Sequence, residues 1–236
     1  MKKVEITVYS LDELSDEAKE RAHADWNRDN PYDWDGEFRD TLKAFEREFG
    51  VEVVNWEYSP YDYDFHLCTG SIEDDVLALK GNRARAWFWN NHGAILLEPR
   101  KTWWYRDKGT GKWAKGLVCD KSTPNPKRTS KVFFGRVYDG TCPWTGYCLD
   151  CSALDPVAYF CFGVAWDEEL KRRVPIRPTK AQDDANTVES LLRDCVHSMF
   201  RYVRDDWAYQ LKMESFEETC RANDYTFDAD GKMHNV

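Results

Sequence analysis

The 236-residue sequence lacks the patterns that most often identify an enzyme or a membrane protein. It contains no GxSxG, P-loop, GxGxxG or HExxH motif, and it has no internal repeat. No run of eighteen apolar residues predicts a transmembrane helix, and the first residues form no apolar signal-peptide core. These absences argue against the classes of nucleotide-binding protein and hydrolase that depend on those motifs. They favour a soluble, cytoplasmic protein that is not an enzyme and binds no cofactor.

The composition is polar overall but rich in aromatic rings. Mean hydropathy is -0.73 and 32% of residues are charged, yet the chain has 11 Trp, 12 Tyr and 12 Phe. Aromatic side chains must therefore supply much of the buried apolar surface. The length is sufficient for a sizeable core and predicts a single domain over residues 1–236. The net charge of -9 argues against indiscriminate binding to nucleic acid or anionic membranes.

Eight cysteines are present, and four of them lie close together in the sequence: Cys142, Cys148, Cys151 and Cys161. Without an apolar leader, we expect reduced thiols rather than a disulfide framework. Cys148 and Cys151 form the one CxxC pair, whereas a strong zinc signal has two such pairs. Ordinary thiols without a metal are favoured, and zinc bound by the four cysteines is the alternative.

A long amphipathic helix is predicted over residues 183–212. Its apolar residues recur every three or four positions and so form one stripe. The stripe consists of Val188, Leu192, Cys195, Met199, Val203 and Trp207. Shorter signals predict a strand over residues 4–9, a helix after Ser15, a second helix over 34–49 that Gly50 ends, and paired strands over 51–58 and 64–69. The second helix should bury Trp34, Phe38, Leu42, Phe45 and Phe49 on one side.

The middle of the chain has weaker signals. Residues 86–97 are predicted to form strands around a turn at 90–93, and residues 144–149 to pair with a strand at 132–138. A helix should then begin at Ser152 or Asp155, with Pro156 in its first turn. Strand pairs joined by short turns outnumber crossover units. The predicted class is therefore α+β, a mostly antiparallel sheet covered by helices, with the long amphipathic helix near the C-terminus.

Three regions resemble a loose group of uncharacterised tailed-phage and prophage proteins, some labelled antitoxin-like. The matching stretches are residues 9–14 with an alanine-rich helix after them, 145–148 with a following helix, and 215–218 with 227–232. Residues 59–70 depart from the group, because they are aromatic and acidic where those proteins have a glycine-rich polar loop. The resemblance implies a mobile-element origin and a small accessory protein that binds a host protein.

Residues 98–131 differ from the rest of the chain in charge. They hold ten Lys or Arg against three Asp or Glu, so this segment carries +7 and the remainder -16. It is predicted to be an inserted hairpin and loop whose cations neutralise phosphates while its rings stack on bases. The alternative is a hairpin whose tryptophans pack inward and whose lysines keep a strand edge soluble. The candidate binding residues are Arg100, Lys101, Trp103, Trp104, Tyr105, Arg106, Lys108, Lys112, Trp113 and Lys115.

Three functional hypotheses follow. The first is a non-enzymatic phage or prophage accessory protein that binds a host protein, such as a component of a defence system, and inhibits it. The second is a protein that binds nucleic acid or a nucleotide through residues 98–131. The third is a metal-dependent hydrolase, suggested by the adjacent acids Asp74-Asp75, Asp183-Asp184 and Asp205-Asp206. Adjacent helical residues point about 100° apart, so such pairs are more typical of solvated faces. No membrane partner is expected.

Overall fold

The computed structural model describes residues 7–29, 32–96, 98–117, 132–137, 142–162, 164–167, 172–175 and 185–234. Within these residues the fold is α+β, as predicted, with helices and small antiparallel sheets. The chain divides into two compact units. Unit 1 comprises Met1–Arg39, Val54–His66 and Phe200–Val236, and unit 2 comprises Asp40–Val53 and Leu67–Met199. The single domain over residues 1–236 stays a prediction.

The described elements alternate irregularly between helix and strand. In chain order they are β1 (Tyr9–Ser10), a 3-10 turn (Leu11–Glu13), α1 (Asp16–Asp29), α2 (Asp35–Phe49), β2 (Glu52–Tyr58), β3 (Tyr63–Cys68), α3 (Asp74–Leu77), α4 (Gly81–Leu96), β4 (Glu98–Arg106), β5 (Trp113–Leu117), β6 (Val132–Val137), α5 (Cys148–Phe162), β7 (Val164–Asp167), β8 (Arg172–Pro175), α6 (Val188–Gln210), α7 (Met213–Ala222), β9 (Thr226–Phe227) and β10 (Met233–His234).

The strands form four small sheets in the described part of the chain, not one large sheet. Their orders are β1-β9-β10, β2-β3, β5-β4-β6 and β7-β8. The predicted pairing of residues 51–58 with 64–69 corresponds to β2 and β3. Half of the predicted strand over residues 4–9 lies outside the described residues. Within the described part, strand β1 begins at Tyr9. Among the helices that the structure describes, none has the length and apolarity needed to cross a lipid bilayer.

One apolar cluster in unit 1 joins residues that are far apart in the sequence. Helix α1 begins after Ser15 as predicted, and the Ser15 hydroxyl accepts the N–H of Ala18 at 3.3 Å. At Gly231, where φ is +89°, the C-terminal turn approaches α1 so closely that a Cβ atom would lie 2.2 Å from the Ala18 carbonyl oxygen. The buried members are Leu11, Leu14, Ala18, Ala22, Phe216, Cys220 and Phe227.

A second group of rings in unit 1 surrounds Phe200. The ring centroids of Phe38 and Phe65 lie 5.0 and 5.3 Å from that of Phe200, within the usual range for aromatic pairs. Beside these rings, two tyrosines donate hydrogen bonds to carboxylates. The Tyr32 hydroxyl donates to Asp206 at 2.9 Å, and the Tyr58 hydroxyl donates to Asp35.

The long helix α6 confirms the predicted apolar stripe over a slightly shorter range. It begins at Val188, and Asp183-Asp184 lie outside the described residues. Five of the predicted stripe residues are buried, and Trp207 is half-buried. Helix α2 likewise buries its predicted face from Phe38 to Phe49, and Gly50 follows it with φ at +66°. Trp34 is an exception, because it precedes the helix and is 51% exposed.

The predicted strands over residues 86–97 are wrong, because this segment belongs to helix α4. Ala84, Phe88 and His92 follow one another at intervals of four and are buried, as on one face of a helix. His92 is held by a contact of 2.9 Å between its Nδ1 atom and Glu48 Oε1. The ring of Phe49 packs against it with centroids 4.5 Å apart.

The predicted start of the next helix is also wrong. Helix α5 begins at Cys148 and contains Pro156 in its interior, and residues 144–147 form bends rather than a strand. The reason is the buried carboxylate of Asp150, which accepts the backbone N–H groups of Trp144 at 2.9 Å and Thr145 at 2.8 Å. These bonds fix the chain just before the helix and satisfy donors that would otherwise lack partners.

Candidate functional site

The predicted hairpin within residues 98–131 exists, and its register fixes which residues share a face. Strand β4 is central, pairing antiparallel with β5 on one side and β6 on the other. Arg106 lies opposite Trp113, and Trp104 lies two positions before Arg106. Directly opposed residues and residues two apart point to the same side of a sheet. Trp104, Arg106 and Trp113 therefore form one face, which we call the tryptophan face.

Both tryptophans of this face are accessible to solvent. Trp113 is 70% exposed and Trp104 is 51% exposed. The alternative in which the hairpin tryptophans pack inward therefore does not describe these two residues. Large rings in solvent forgo the free energy of burial, so two of them at diagonal positions on one face make that face a candidate contact surface.

The turn that joins β4 to β5 is held by its own hydrogen bonds. The N–H of Asp107 donates to the Lys112 carbonyl at 2.9 Å, and the N–H of Gly111 donates to the Asp107 carbonyl at 2.9 Å. The Asp107 carboxylate accepts the N–H of Thr110 at 2.6 Å and its hydroxyl at 2.9 Å. Gly111 takes a φ of +68°, which suits glycine. These hydrogen bonds therefore define the conformation of the hairpin tip.

Positive charge dominates this tip. Arg106, Lys108 and Lys112 are all exposed, and Arg106 Nε donates to the Gly111 carbonyl at 3.0 Å, a neutral partner. The one carboxylate in the turn is Asp107, and the two Thr110 hydrogen bonds lower its pKa. Asp107 thus stays ionised but uses its oxygens within the turn. The three cations are left facing solvent beside the two rings.

The remaining predicted site residues do not all join this face. Tyr105 is half-buried and lies on the opposite side of β4, since it alternates with Trp104 and Arg106. Arg100, Lys101 and Trp103 have backbone positions in β4, and Lys115 pairs with Trp104 from β5. The side chains of these four residues lie outside the described part of the structure, as do residues 118–131.

The cysteines do not assemble a group of metal ligands in the part of the chain that the structure describes. Cys142 and Cys151 have their Sγ atoms 3.4 Å apart, whereas Cys148 is exposed. Burial raises the pKa of the Cys161 thiol to about 12, so this thiol is protonated near neutral pH. Within the described residues, no group of three or more His, Cys, Asp or Glu side chains is arranged to hold a metal ion.

The paired acids also have local roles where they are described. Asp205 accepts hydrogen bonds from Arg204, the shorter at 2.7 Å, and Asp206 accepts from Tyr32 and from Gln210 at 2.8 Å. Asp74 and Asp75 are exposed in the first turn of α3, where acidic residues complement the helix dipole. These contacts account for the two described pairs without a metal ion.

The resemblance to phage proteins stays a prediction, and the stretches on which it is based have structural roles in each unit. In unit 1, Leu11, Phe216 and Phe227 meet in the apolar cluster, and Gly231 packs on α1. In unit 2, Thr145 and Gly146 are bound by the Asp150 carboxylate. Comparison of the chain with protein-family models, curated proteins and solved structures finds no match to any of them.

Proposed function

We propose that this protein binds single-stranded nucleic acid through the tryptophan face and the basic turn of the β4–β5 hairpin. The observation that carries the proposal is the exposure of Trp104 and Trp113 on the same face as Arg106. Proteins that bind single strands combine cations along the backbone with rings on which successive bases stack. The hairpin presents both kinds of group within one short segment.

The chemistry favours a single strand over a duplex. A tryptophan ring can stack only on a base whose face is accessible, and the bases of a duplex are already stacked on one another. The cations Arg106, Lys108 and Lys112 can neutralise neighbouring phosphates, which releases condensed counterions and makes affinity depend on salt. No base edge needs to be read by these contacts. We therefore expect little sequence preference.

A second candidate function uses the same face to bind a host protein. It follows from the resemblance to phage and prophage accessory proteins, and Trp and Arg are the residue types that most often dominate protein interfaces. The net charge of -9 also opposes the approach of a long polyanion. The two candidates differ in whether the purified protein alone binds an oligonucleotide.

The test is titration of a fluorescently labelled thymidine oligonucleotide with the purified protein, followed by anisotropy at several salt concentrations. We expect micromolar affinity that falls as salt rises. Trp104→Ala and Trp113→Ala should each weaken binding by about 1–3 kcal/mol, the usual contribution of one stacked base. The matched control is Trp34→Ala, because Trp34 is also 51% exposed but lies outside the hairpin.

Charge reversal needs a control of its own, because any such change makes the whole protein more acidic. Lys108→Glu with Lys112→Glu should abolish oligonucleotide binding. Lys43→Glu with Arg83→Glu alters the net charge equally at exposed positions outside the hairpin, and it should have a much smaller effect. If the unmodified protein binds no oligonucleotide at low salt, the proposal fails. Capture of a host protein that resists nuclease treatment and is lost in Trp113→Ala would then support the second candidate.

A further inference from the structure

Two thiols of unit 2 lie in direct contact, away from the hairpin. The Sγ atoms of Cys142 and Cys151 are 3.4 Å apart, and both residues are half-buried. The CxxC pair of the sequence consists of Cys148 and Cys151, so it differs from the pair in contact. Cys148 is exposed. The separation between positions 142 and 151 matches no metal or redox motif. The contact is evident only in the fold.

The contact results from how the chain enters helix α5. Cys142 precedes the bends at residues 144–147, and Cys151 lies in the first turns of the helix. The Asp150 carboxylate binds the N–H groups of Trp144, Thr145 and Gly146 at 2.9, 2.8 and 3.3 Å. The Thr41 hydroxyl donates to the same carboxylate at 3.1 Å. A buried acceptor with these partners folds the chain back and places the two sulfur atoms together.

We propose that Cys142 and Cys151 form a site of reversible oxidation, at which a peroxide converts the two thiols into one intramolecular disulfide. The sulfur atoms need to approach by roughly 1.4 Å to reach the S–S bond length of about 2.05 Å. A zinc ion would require two more ligands than this pair supplies. Oxidation is therefore the chemistry that fits two adjacent thiols.

The reaction balances with hydrogen peroxide as the oxidant. One sulfur attacks a peroxide oxygen, the O–O bond breaks, and the thiol becomes a sulfenic acid with release of one water molecule. The second sulfur then attacks the first, the S–O bond breaks, and a second water molecule leaves. Two thiols are oxidised by two electrons, and one peroxide is reduced to two water molecules. A dithiol reductant reverses the change.

The experiment treats the purified full-length protein with one equivalent of hydrogen peroxide, blocks the remaining thiols and maps the disulfides by mass spectrometry. Trypsin alone leaves Cys142, Cys148, Cys151 and Cys161 in one peptide, because no Lys or Arg lies between Arg136 and Lys171. Chymotrypsin is therefore added, since it cleaves after Trp144 and Tyr147. We expect a peptide holding Cys142 to be linked to one holding Cys148 and Cys151, and the pair should separate after reduction. Fragmentation should place the linkage on Cys151 and the blocking group on Cys148.

Variants make the assignment specific. Cys148→Ser should retain the linked pair, whereas Cys142→Ser and Cys151→Ser should each eliminate it. The result on the unmodified protein does not depend on how well these variants fold. A Cys142–Cys148 or Cys148–Cys151 linkage would overturn the proposal, and so would recovery of Cys142 and Cys151 as separately blocked thiols. One zinc ion per chain that is lost in Cys142→Ser would do so too, since the pair would then be part of a metal site.

Discussion

At the scale of single residues, Gly231 has very little freedom to change. Its φ of +89° disfavours any L side chain, and an added Cβ would lie 2.2 Å from the Ala18 carbonyl oxygen. The contact is with helix backbone, so a small side-chain movement cannot relieve it. This close approach accounts for the glycine at position 231.

Gly231→Ala should lower the free energy of unfolding by roughly 2–4 kcal/mol, because α1 and the C-terminal turn must separate to admit the methyl group. Urea denaturation followed by circular dichroism measures the change. Gly36→Ala is the control, because Gly36 lies in α2 and an added Cβ there meets no atom within 4 Å. That variant should be more stable than the parent by about 0.5–1 kcal/mol. Equal stability of Gly231→Ala and the parent would show that the turn does not pack on α1.

Two tyrosines of unit 1 should make stability sensitive to alkali. Burial, and then the hydrogen bond to Asp206, raises the pKa of Tyr32 above its ordinary value of 10.0. Burial, and then the hydrogen bond to Asp35, raises the pKa of Tyr58 in the same way. The unfolded chain therefore loses these protons at a lower pH than the folded protein does. The stabilisation is complete below about pH 10 and decreases as pH rises further.

The free energy of unfolding should accordingly fall above about pH 10, by no more than about 1.4 kcal/mol per pH unit for each tyrosine. Chemical denaturation at about pH 9 and about pH 11 measures the slope. Tyr32→Phe and Tyr58→Phe should each reduce it, although both start from a lower stability because a hydrogen bond is lost. An unchanged slope in both variants would contradict the assignment.

At the scale of elements, α6 is the helix whose buried face the sequence defines best. Leu192 is fully buried in it, so Leu192→Asp would place an unpaired charge among apolar side chains. We expect a loss of at least about 3 kcal/mol, seen as a lower melting temperature. Arg201→Asp introduces the same residue at an exposed position of the same helix and should lower stability by at most about 1 kcal/mol, from the lower helix propensity of Asp and its repulsion from Asp205. An unchanged melting temperature in Leu192→Asp would mean that the buried face is assigned wrongly.

Regular apolar spacing explains why α6 and α2 are predictable, and its absence explains why α4 is not. In α4 the buried face includes a polar residue, His92, beside Ala84 and Phe88. His92 is accommodated there by Glu48, which lies 44 positions earlier in the chain. The apolar pattern of a short stretch of sequence contains no sign of such a distant partner. The neighbouring aromatic run then resembles a strand.

The start of α5 depends on a similar tertiary contact. Propensity places Pro156 in a first turn, but the helix begins one to two turns before the predicted start because Asp150 satisfies the preceding backbone donors. For the hairpin, composition predicts its existence and its charge. Alternation along a strand does not show which face of the sheet is covered. The exposure of Trp104 and Trp113 could therefore be established only from the structure.

At the scale of the whole molecule, charge is distributed very unevenly. Residues 98–131 carry +7, whereas the remainder carries -16. At physiological ionic strength the Debye length is about 8 Å, so a ligand bound to the hairpin is affected mainly by charges within about that distance. At low salt the acidic remainder acts over a longer distance. The same uneven charge would orient either a nucleic acid or an acidic protein toward the hairpin tip.

The apolar cluster of unit 1 has a consequence for how the protein is made. A ribosome releases Leu11 and Leu14 long before Phe216 and Phe227, the residues against which they pack. Helix α1 must therefore wait, with its apolar face uncovered, until the residues up to Phe227 have been translated. Contacts of such long sequence separation form slowly even when the chain is complete. During synthesis we therefore expect chaperones to bind this face of α1, and we expect unit 1 to become resistant to proteolysis last.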